Sequence, residues 1–585
     1  MKKIKKWLLP YRQALPALLL YQIIAAFVTE LWLWGFSQLA GLLIRSTGRA
    51  AISSGDFLFL FTTWQGYVIM LLTVITLFVF VAVDINALVI LCGRILKGEK
   101  PSVLLCFKEG FISLRRFINL RGLAVILFLS VLSPILSFGV SISLTRNFYI
   151  PKFISSVIYS KPLYLIGVGV VFAALIFIGV IYIFILHGTL LDNMSLKESA
   201  RSSIKLIKTN VKNFIKSMLL FFVMYGLVIA AHFVITVTLF LIKYLIPMPD
   251  SAEKTVSLCL TLIVAFVLLY IVAMYMPFYV LKITMLYKRY RSGGEWEYQE
   301  RKKRISPLVI ANAVIVVSLI AGITVLVSLF GGAIFPDNAP ACYIAHRAGG
   351  NEAPENTVAG INAAYSLGAY GSEIDIQRTS DGYYIVNHDA DFGRTAGVNK
   401  KPSELTLAEV KELKVDGEPV ATFEEMLEAS RGRVTLFVEL KGESADTQMA
   451  EDAVRIIRDY HMEDETVLIS LNYDLIDYIE TAYPEMQTGY LAFASFGDTA
   501  DLNCDYLAME EETATSGMIS DVHAKGKKIF VWTVNDVEDI YEFLDSGADG
   551  IITDNVSGAK EITEDLKNRP LLDRAVDKIL DVLFD

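Results

Sequence analysis

Cysteine is scarce in this chain. Five occur in 585 residues, at positions 92, 106, 259, 342 and 504, and none forms a C-x-x-C pair. That spacing excludes a zinc ribbon or finger and a disulfide framework, leaving only a Cys342–Cys504 bridge open. Histidine is nearly as rare, with six in the chain. Acidic residues are what the front lacks. Residues 1–340 hold 13 Asp and Glu against 33 Lys and Arg, whereas residues 341–585 hold 49 against 20. A basic, apolar front and an acidic, polar back imply two domains in different surroundings. Hydrophobic residues make up 54% of the chain and the mean hydropathy is +0.48, which excludes an ordinary soluble protein. The basic residues lie between apolar runs, so they call for membrane lipids and for no nucleic-acid partner.

Seven apolar runs stand out, near 15–40, 58–92, 122–145, 162–186, 217–242, 257–281 and 307–331. Each meets the roughly 20 residues needed to cross the hydrocarbon core. The opening MKKIKKW is like a signal-peptide n-region, but the run behind it is too long for an h-region, so it is read as a retained span. Basic residues crowd the N-terminus and the second, fourth and sixth loops, and are few in the odd loops. Hence the expectation is a plasma-membrane protein with its N-terminus in the cytoplasm and everything after residue 332 outside the cell. FKEGFISLRRFINL (107–120) has the pattern of an amphipathic helix at the inner surface, or of an ordinary connector. Glu30, Asp84, Asn86 and His232 lie within spans, where such residues either pair between helices or serve a path. No repeat or substrate signature favours a transporter.

A Gly/Pro linker is expected over 332–341, and a polar domain over 342–585. There β-branched runs alternate with helical patterns, starting at 343, 373, 383, 434, 466, 488, 506, 528 and 550. Such alternation predicts a parallel sheet with covering helices. At this length an eight-stranded (β/α) TIM barrel leads, with an open doubly wound sheet as the alternative. The nine runs are one too many. EIDIQ (373–377) and YYIVNH (383–388) are joined only by RTSDG, a hairpin signal, so one of them is an antiparallel addition. A two-residue turn centred on Asp381 and Gly382 would set Asp375 opposite His388.

In a barrel, active sites lie at the carboxyl ends of strands. Here those ends supply His346 and Arg347, then Glu373 and Asp375, then His388, then Glu439 and Lys441, and finally Trp532. Three carboxylates without a partner would repel, and a hard divalent cation, Mg²⁺ or Ca²⁺, would resolve the conflict. Glu373, Asp375 and Glu439 are therefore the candidate metal ligands. Arg347 and Lys441 suit an anion beside that metal. His346 and His388 suit a general acid and base near neutral pH. Together they fit phosphodiester cleavage. Taken singly, each motif has a plainer reading as a solvated edge, a salt bridge or a core residue, and it is their recurrence at successive strand ends that carries weight.

HRAGG…APENT…SEIDIQRTSDGYYIVNHDADFGRTAG, then ATFEEML, VELK and VWTVN, closely resembles the glycerophosphodiester phosphodiesterases over about 341–560. A branch of that family carries a multi-span membrane domain ahead of the barrel, and this chain is similar to it. The resemblance implies cleavage of glycerophosphodiesters to glycerol 3-phosphate and an alcohol with a divalent metal. It carries His346 and His388 over as the acid/base pair, Glu373, Asp375 and Glu439 as metal ligands, and Arg347 and Lys441 as phosphate contacts. Glu355 of PENT is carried over as a residue orienting Arg347 or the metal shell. The chain departs from the family pattern at Ala348, Phe392 and Ala396, none of them charged.

The substrate is thus a small or lipid-derived glycerophosphodiester, with lipid headgroups and glycerol-phosphate wall polymers as variants. The segment Asp389 to Glu425 is expected to roof the site. Thr357 or Asn356 is the candidate cap of the first barrel helix. The tail 571–585 is amphipathic and is expected to pack on the barrel. The non-enzyme alternative is a binding or regulatory module coupled to the membrane bundle.

Overall fold

The structure is a computed structural model, and residues 2–53, 58–136, 161–298, 307–334 and 340–567 are described. Among the described residues the front half is helical, apart from the short strand Ala51–Ser53. Six helical stretches among the described residues are long and apolar enough to cross a membrane: Trp7–Arg45, Trp64–Lys97, Pro162–Leu191, Leu196–Leu245, Thr255–Arg291 and Ile310–Val327. They coincide with six of the seven apolar runs. The remaining run, near 122–145, is described only as the helix Leu120–Leu136, and its second half lies outside the described residues. The tail 571–585 also lies outside them.

Two of the four polar residues expected within the spans pair locally, whereas the buried His232 Nε2 has no hydrogen-bond partner among the described residues. The Tyr21 hydroxyl donates to Asp84, and Asn86 Nδ2 donates to Ser113 Oγ at 2.9 Å. Ser113 ends the helix Val103–Ser113, the first part of the expected amphipathic stretch. That helix packs closely: a Cβ on Gly110 would lie 3.0 Å from the backbone of Val83 and Ala87. Its inner face serves as a connector in the bundle, while Leu104 and Phe111 are exposed on the other side.

The back half is a closed barrel of eight parallel strands: Cys342–Ala345, Gly371–Arg378, Thr435–Leu440, Thr466–Ser470, Gln487–Ala492, Tyr506–Glu510, Lys528–Trp532 and Gly550–Thr553. The eighth pairs with the first, and the first with the second, which closes the ring. Tyr384–Val386 is the antiparallel addition, lying against the second strand. Cys342 and Cys504 are both free thiols.

The hairpin register differs by one residue from expectation. Ile376 faces Val386 and Gln377 faces Ile385, so Asp375 lies opposite Asn387 rather than His388, with Asn387 N donating to Asp375 O at 3.0 Å. The turn is longer than two residues. Thr379 N donates to Tyr383 O at 2.8 Å across Ser380, Asp381 and Gly382. Among these three only Gly382 has positive φ, at 87°. A three-residue loop needs one left-handed position, whereas the tighter turn needs two.

Strand alternation sorts the side chains. Ile344, Phe437, Val467, Ile469, Leu491, Tyr506, Ala508, Phe530 and Ile552 fill the barrel interior. Tyr506 and Phe530 stack at 5.3 Å between centroids, and Phe437 meets Phe530 edge-on at 5.4 Å. Helices cover the outside, several starting at caps readable in the sequence. Thr422 and Glu425 of ATFEEML form a reciprocal capping box on Phe423–Ser430, and Asp446 caps Thr447–Asp459.

One connection breaks the pattern. Between the fifth and sixth strands lies a short strand, Ser495–Gly497, and the 3-10 turn Thr499–Asp501, where the other connections carry a helix. Ser495–Gly497 pairs antiparallel with Ala51–Ser53, in the loop that follows the first span.

Candidate active site

The barrel brings the catalytic candidates to one rim. Glu373 and Asp375 alternate with Ile374 on the second strand, so both point inward. Asp375 is in register with Glu439 on the third strand. All three carboxylates are buried, and one oxygen of each lies within 4.8 Å of the others. Lys441 Nζ reaches into the group, donating to Asp375 Oδ1 at 2.8 Å and Glu439 Oε2 at 3.0 Å. Asn356 Nδ2 donates to Asp375 Oδ2 at 2.8 Å. Thr357, not Asn356, caps the helix Val358–Leu367, accepting from Gly360 N.

His346 follows the first strand. Its Nδ1 is 2.7 Å from Asp554 Oδ1, at the end of the eighth strand. Asn535 Nδ2 holds the other Asp554 oxygen at 2.8 Å. His388 repeats the arrangement, with Nδ1 2.9 Å from Asp389 Oδ1. A carboxylate on Nδ1 fixes the ring and favours the tautomer that leaves Nε2 free for chemistry. Asp554 and Arg394 are absent from the sequence reading. The signal for Asp554 was available: it immediately follows the strand GIIT, at the carboxyl end where the other groups were sought.

Arg347 is held by its neighbours. Its backbone N donates to Glu373 Oε2 at 2.8 Å, and Nη1 lies 3.3 Å from Glu355 Oε2. Its buried Nε has no hydrogen-bond partner among the described residues. Glu355 also takes two bonds from Arg394, at 2.8 and 2.6 Å, and Arg394 reaches Asp389 at 2.7 Å. Glu355 therefore orients Arg347 and stands outside the carboxylate cluster. Trp532 is half-buried, its indole N–H donating to Ala508 O at 2.8 Å. The segment Asp389 to Glu425 packs around its own core of Phe392, Leu405, Val410, Val415 and Val420, with Ile385 beneath.

The backbone after His346 is tight. Ala348 adopts φ 75° and Gly350 φ 58°. A Cβ on Gly350 would lie 2.4 Å from Asp554 O, and one on Gly349 would lie 2.7 Å from Gly360 Cα. The two glycines let the loop pass beside the eighth strand and the first helix. Ala348 takes the left-handed conformation with its Cβ packed and fully buried.

The electrostatics diverge within a few ångströms. Burial pushes Glu439 up to about 8, and burial with the Asp375 charge pushes Glu373 up to about 7. Asp375 goes the other way: burial would raise it, but Lys441 and His388 hold it well below the usual range. Burial would lower Lys441, yet the three carboxylates keep it a cation. Burial also opposes the charged form of His346, but the Asp554 bond and the Asp554 and Glu373 charges outweigh it, so its pKa rises. Burial dominates at His388, whose pKa falls.

Comparison with known proteins identifies the family. Residues 346–557 match the "Glycerophosphoryl diester phosphodiesterase family". Residues 4–324 match the "Membrane domain of glycerophosphoryl diester phosphodiesterase". The chain belongs to the glycerophosphodiester phosphodiesterase family. It is an enzyme of glycerophosphodiester hydrolysis, and its membrane domain makes it a membrane protein. A glycerophosphodiester phosphodiesterase of Caldanaerobacter subterraneus is 29% identical over 226 residues, which is 36% of this chain and 93% of that one. One from Bacillus altitudinis is 26% identical over 240 residues, 38% of this chain and 98% of that one. A crystal structure of such an enzyme from Parabacteroides distasonis is 25% identical, with a TM-score of 0.37, covering 40% of this chain and 100% of that chain. Membership in this enzyme family sets aside the binding-module alternative.

Proposed function

We propose that this phosphodiesterase depends on one divalent cation and on two histidines acting as acid and base, and that its barrel faces outward from the plasma membrane. The observation that carries the reading is the pair of His–Asp couples flanking a buried carboxylate trio. The donor set fits a hard cation: three carboxylates, all buried, crowd together where like charges repel. Glu373, Asp375 and Glu439 would hold Mg²⁺ or Ca²⁺. Bound there, the ion would withdraw charge from the substrate's phosphoryl oxygens.

The chain's own residues do the rest. The unpaired Nε of Arg347 is a donor awaiting an acceptor, as a phosphate-binding residue requires. Lys441 supplies a second fixed positive charge. The environments push the two histidines apart, and that separation assigns roles. His346, with its raised pKa, retains a proton and gives it to the leaving alkoxide. His388, with its lowered pKa, is neutral and takes a proton from the attacking hydroxyl. Each ring is braced at Nδ1, so the proton moves at Nε2.

The outward orientation combines loop charge, which sets the side, with a strand pairing, which puts the first loop and the barrel on the same one. Basic residues alternate between loops as the positive-inside rule requires. Ala51–Ser53 also pairs with the barrel strand Ser495–Gly497, so the first loop and the barrel share one side. An even number of crossings must then separate them. Five of the six spans lie after that loop. The apolar run near 122–145, read from the sequence as a further span, would bring the number after that loop to six.

The test is direct. Purified full-length protein should release glycerol 3-phosphate from glycerophosphocholine with Mg²⁺ or Ca²⁺, and should lose this with a chelator or with His346→Ala. Full activity after chelation would remove the metal from the mechanism.

A further inference from the structure

We propose that the first loop of the membrane domain is a working part of the barrel wall, replacing the missing fifth covering helix and clamping the catalytic rim to the membrane domain. The need arises in the barrel. The fifth strand, Gln487–Ala492, turns Leu491 inward and Tyr490 and Ala492 outward, toward the layer that helices cover elsewhere. The connection that follows has only the 3-10 turn Thr499–Asp501. Yet Tyr490 and Ala492 are fully buried.

Tyr473 of the preceding helix covers one side of Tyr490, its ring 5.3 Å away, and Ala500 and Leu502 join the cluster, but the rest of the cover comes from far away in sequence. Ala51, Ile52 and Ser53 pair with Gly497, Phe496 and Ser495. Ala51 joins the same apolar cluster as Tyr490 and Ala492, and the Ser53 hydroxyl bonds the Tyr490 hydroxyl in a buried contact. Ile52 turns the opposite way, into Ala40, Ile44, Phe59 and Ile69 of the membrane domain. One three-residue strand thus has a face in each domain, as period-two alternation allows.

Flanking contacts lock the pair. Asp498 N donates to Ala50 O at 3.1 Å, and Arg45, the last residue of the first helix, pairs with Asp498. Gly497 has φ 109°, and a Cβ there would lie 2.9 Å from Ala50 O and 3.1 Å from Ala51 Cα. Only glycine lets these backbones approach. Trp64 and Tyr67, which open the second span, are exposed, as aromatic side chains at a bilayer surface are. The clamp therefore sits at that surface, on the carboxyl-end rim that also carries the active site.

The inference concerns the join between domains and stands apart from the acid/base assignment. The experiment uses the full chain in native membranes, with a protease site inserted within 335–339. After cleavage of the wild-type clamp, the barrel should remain in the membrane pellet. With Gly497→Val it should appear in the supernatant, still hydrolysing soluble glycerophosphocholine, which checks that it is folded. Release from the wild-type clamp as readily as from the variant would overturn the proposal, as would retention of both. A second arm avoids any folding defect. In Ser53→Cys with Ser495→Cys, oxidation should join the two protease fragments in a non-reducing gel. Failure to join them, with both thiols free after denaturation, would also overturn it.

Discussion

Asp554→Asn isolates the electrostatic support of the proposed acid. Asp554 Oδ1 is 2.7 Å from His346 Nδ1, and Asn535 braces its other oxygen, so an amide of the same shape keeps the packing and removes the charge. A hydrogen bond to a charged group contributes about 1.5–3 kcal/mol. A tenfold change corresponds to about 1.4 kcal/mol. The expected loss in kcat is therefore about ten- to hundredfold, with KM little changed. The pH profile is the sharper readout. His346 must be protonated to act as the acid, so activity falls as pH rises through its pKa. Asp554 raises that pKa. Without the charge, the alkaline limb should move to lower pH. Steady-state kinetics on glycerophosphocholine across the neutral range measure both. A kcat within twofold of wild type and an unmoved alkaline limb would refute the assignment.

Three further outcomes follow from the same geometry. His346→Ala should lose far less activity on a p-nitrophenyl phosphodiester, whose leaving group needs no proton, than on glycerophosphocholine, whereas His388→Ala should lose both alike; the reverse pattern would exchange the roles. Without an ion, Glu373 and Glu439 have pKa values of about 7 and 8, above the ordinary 4.5. Raised carboxylates favour the fold while protonated and oppose it as they ionise, so chelated protein should lose stability as pH rises from 4.5 and level off above about 8, and the gain in Tm on adding Mg²⁺ or Ca²⁺ should grow over the same window. Gly350→Ala places a Cβ 2.4 Å from Asp554 O at a φ of 58°. At about 1–2 kcal/mol for the left-handed backbone alone, it should lower the barrel's Tm by about 2–8 °C and weaken activity through the displaced Asp554, both read by calorimetry and kinetics.

The barrel strands were legible because each is a short β-branched run bounded by turn or helix signals, and the carboxylates because E-x-D and E-x-K fall on adjacent strands. The added antiparallel strand was legible from Asp-Gly, but its register was not. A pairing rule assumes a loop length, and Thr379 closes a three-residue loop instead of a two-residue one. Asp554 lies 208 residues from its histidine, and no local pattern links them. Only the closure of the ring does, and it is a property of the whole barrel. The clamp is further still from view. Ala51–Ser53 reads as an unremarkable loop, and its partner as an irregular connection. Each becomes a strand only against the other.

Arg394 lies in the segment Asp389 to Glu425, and it grips two carboxylates at once. Asp389 steadies His388, and Glu355 steadies Arg347. That stretch therefore braces both the proposed base and the proposed phosphate contact. A transplant of this stretch from another family member could change taste without silencing the catalyst only if it brought a guanidinium to the same spot. On the proposed roles, substrate range and turnover are tied through one side chain.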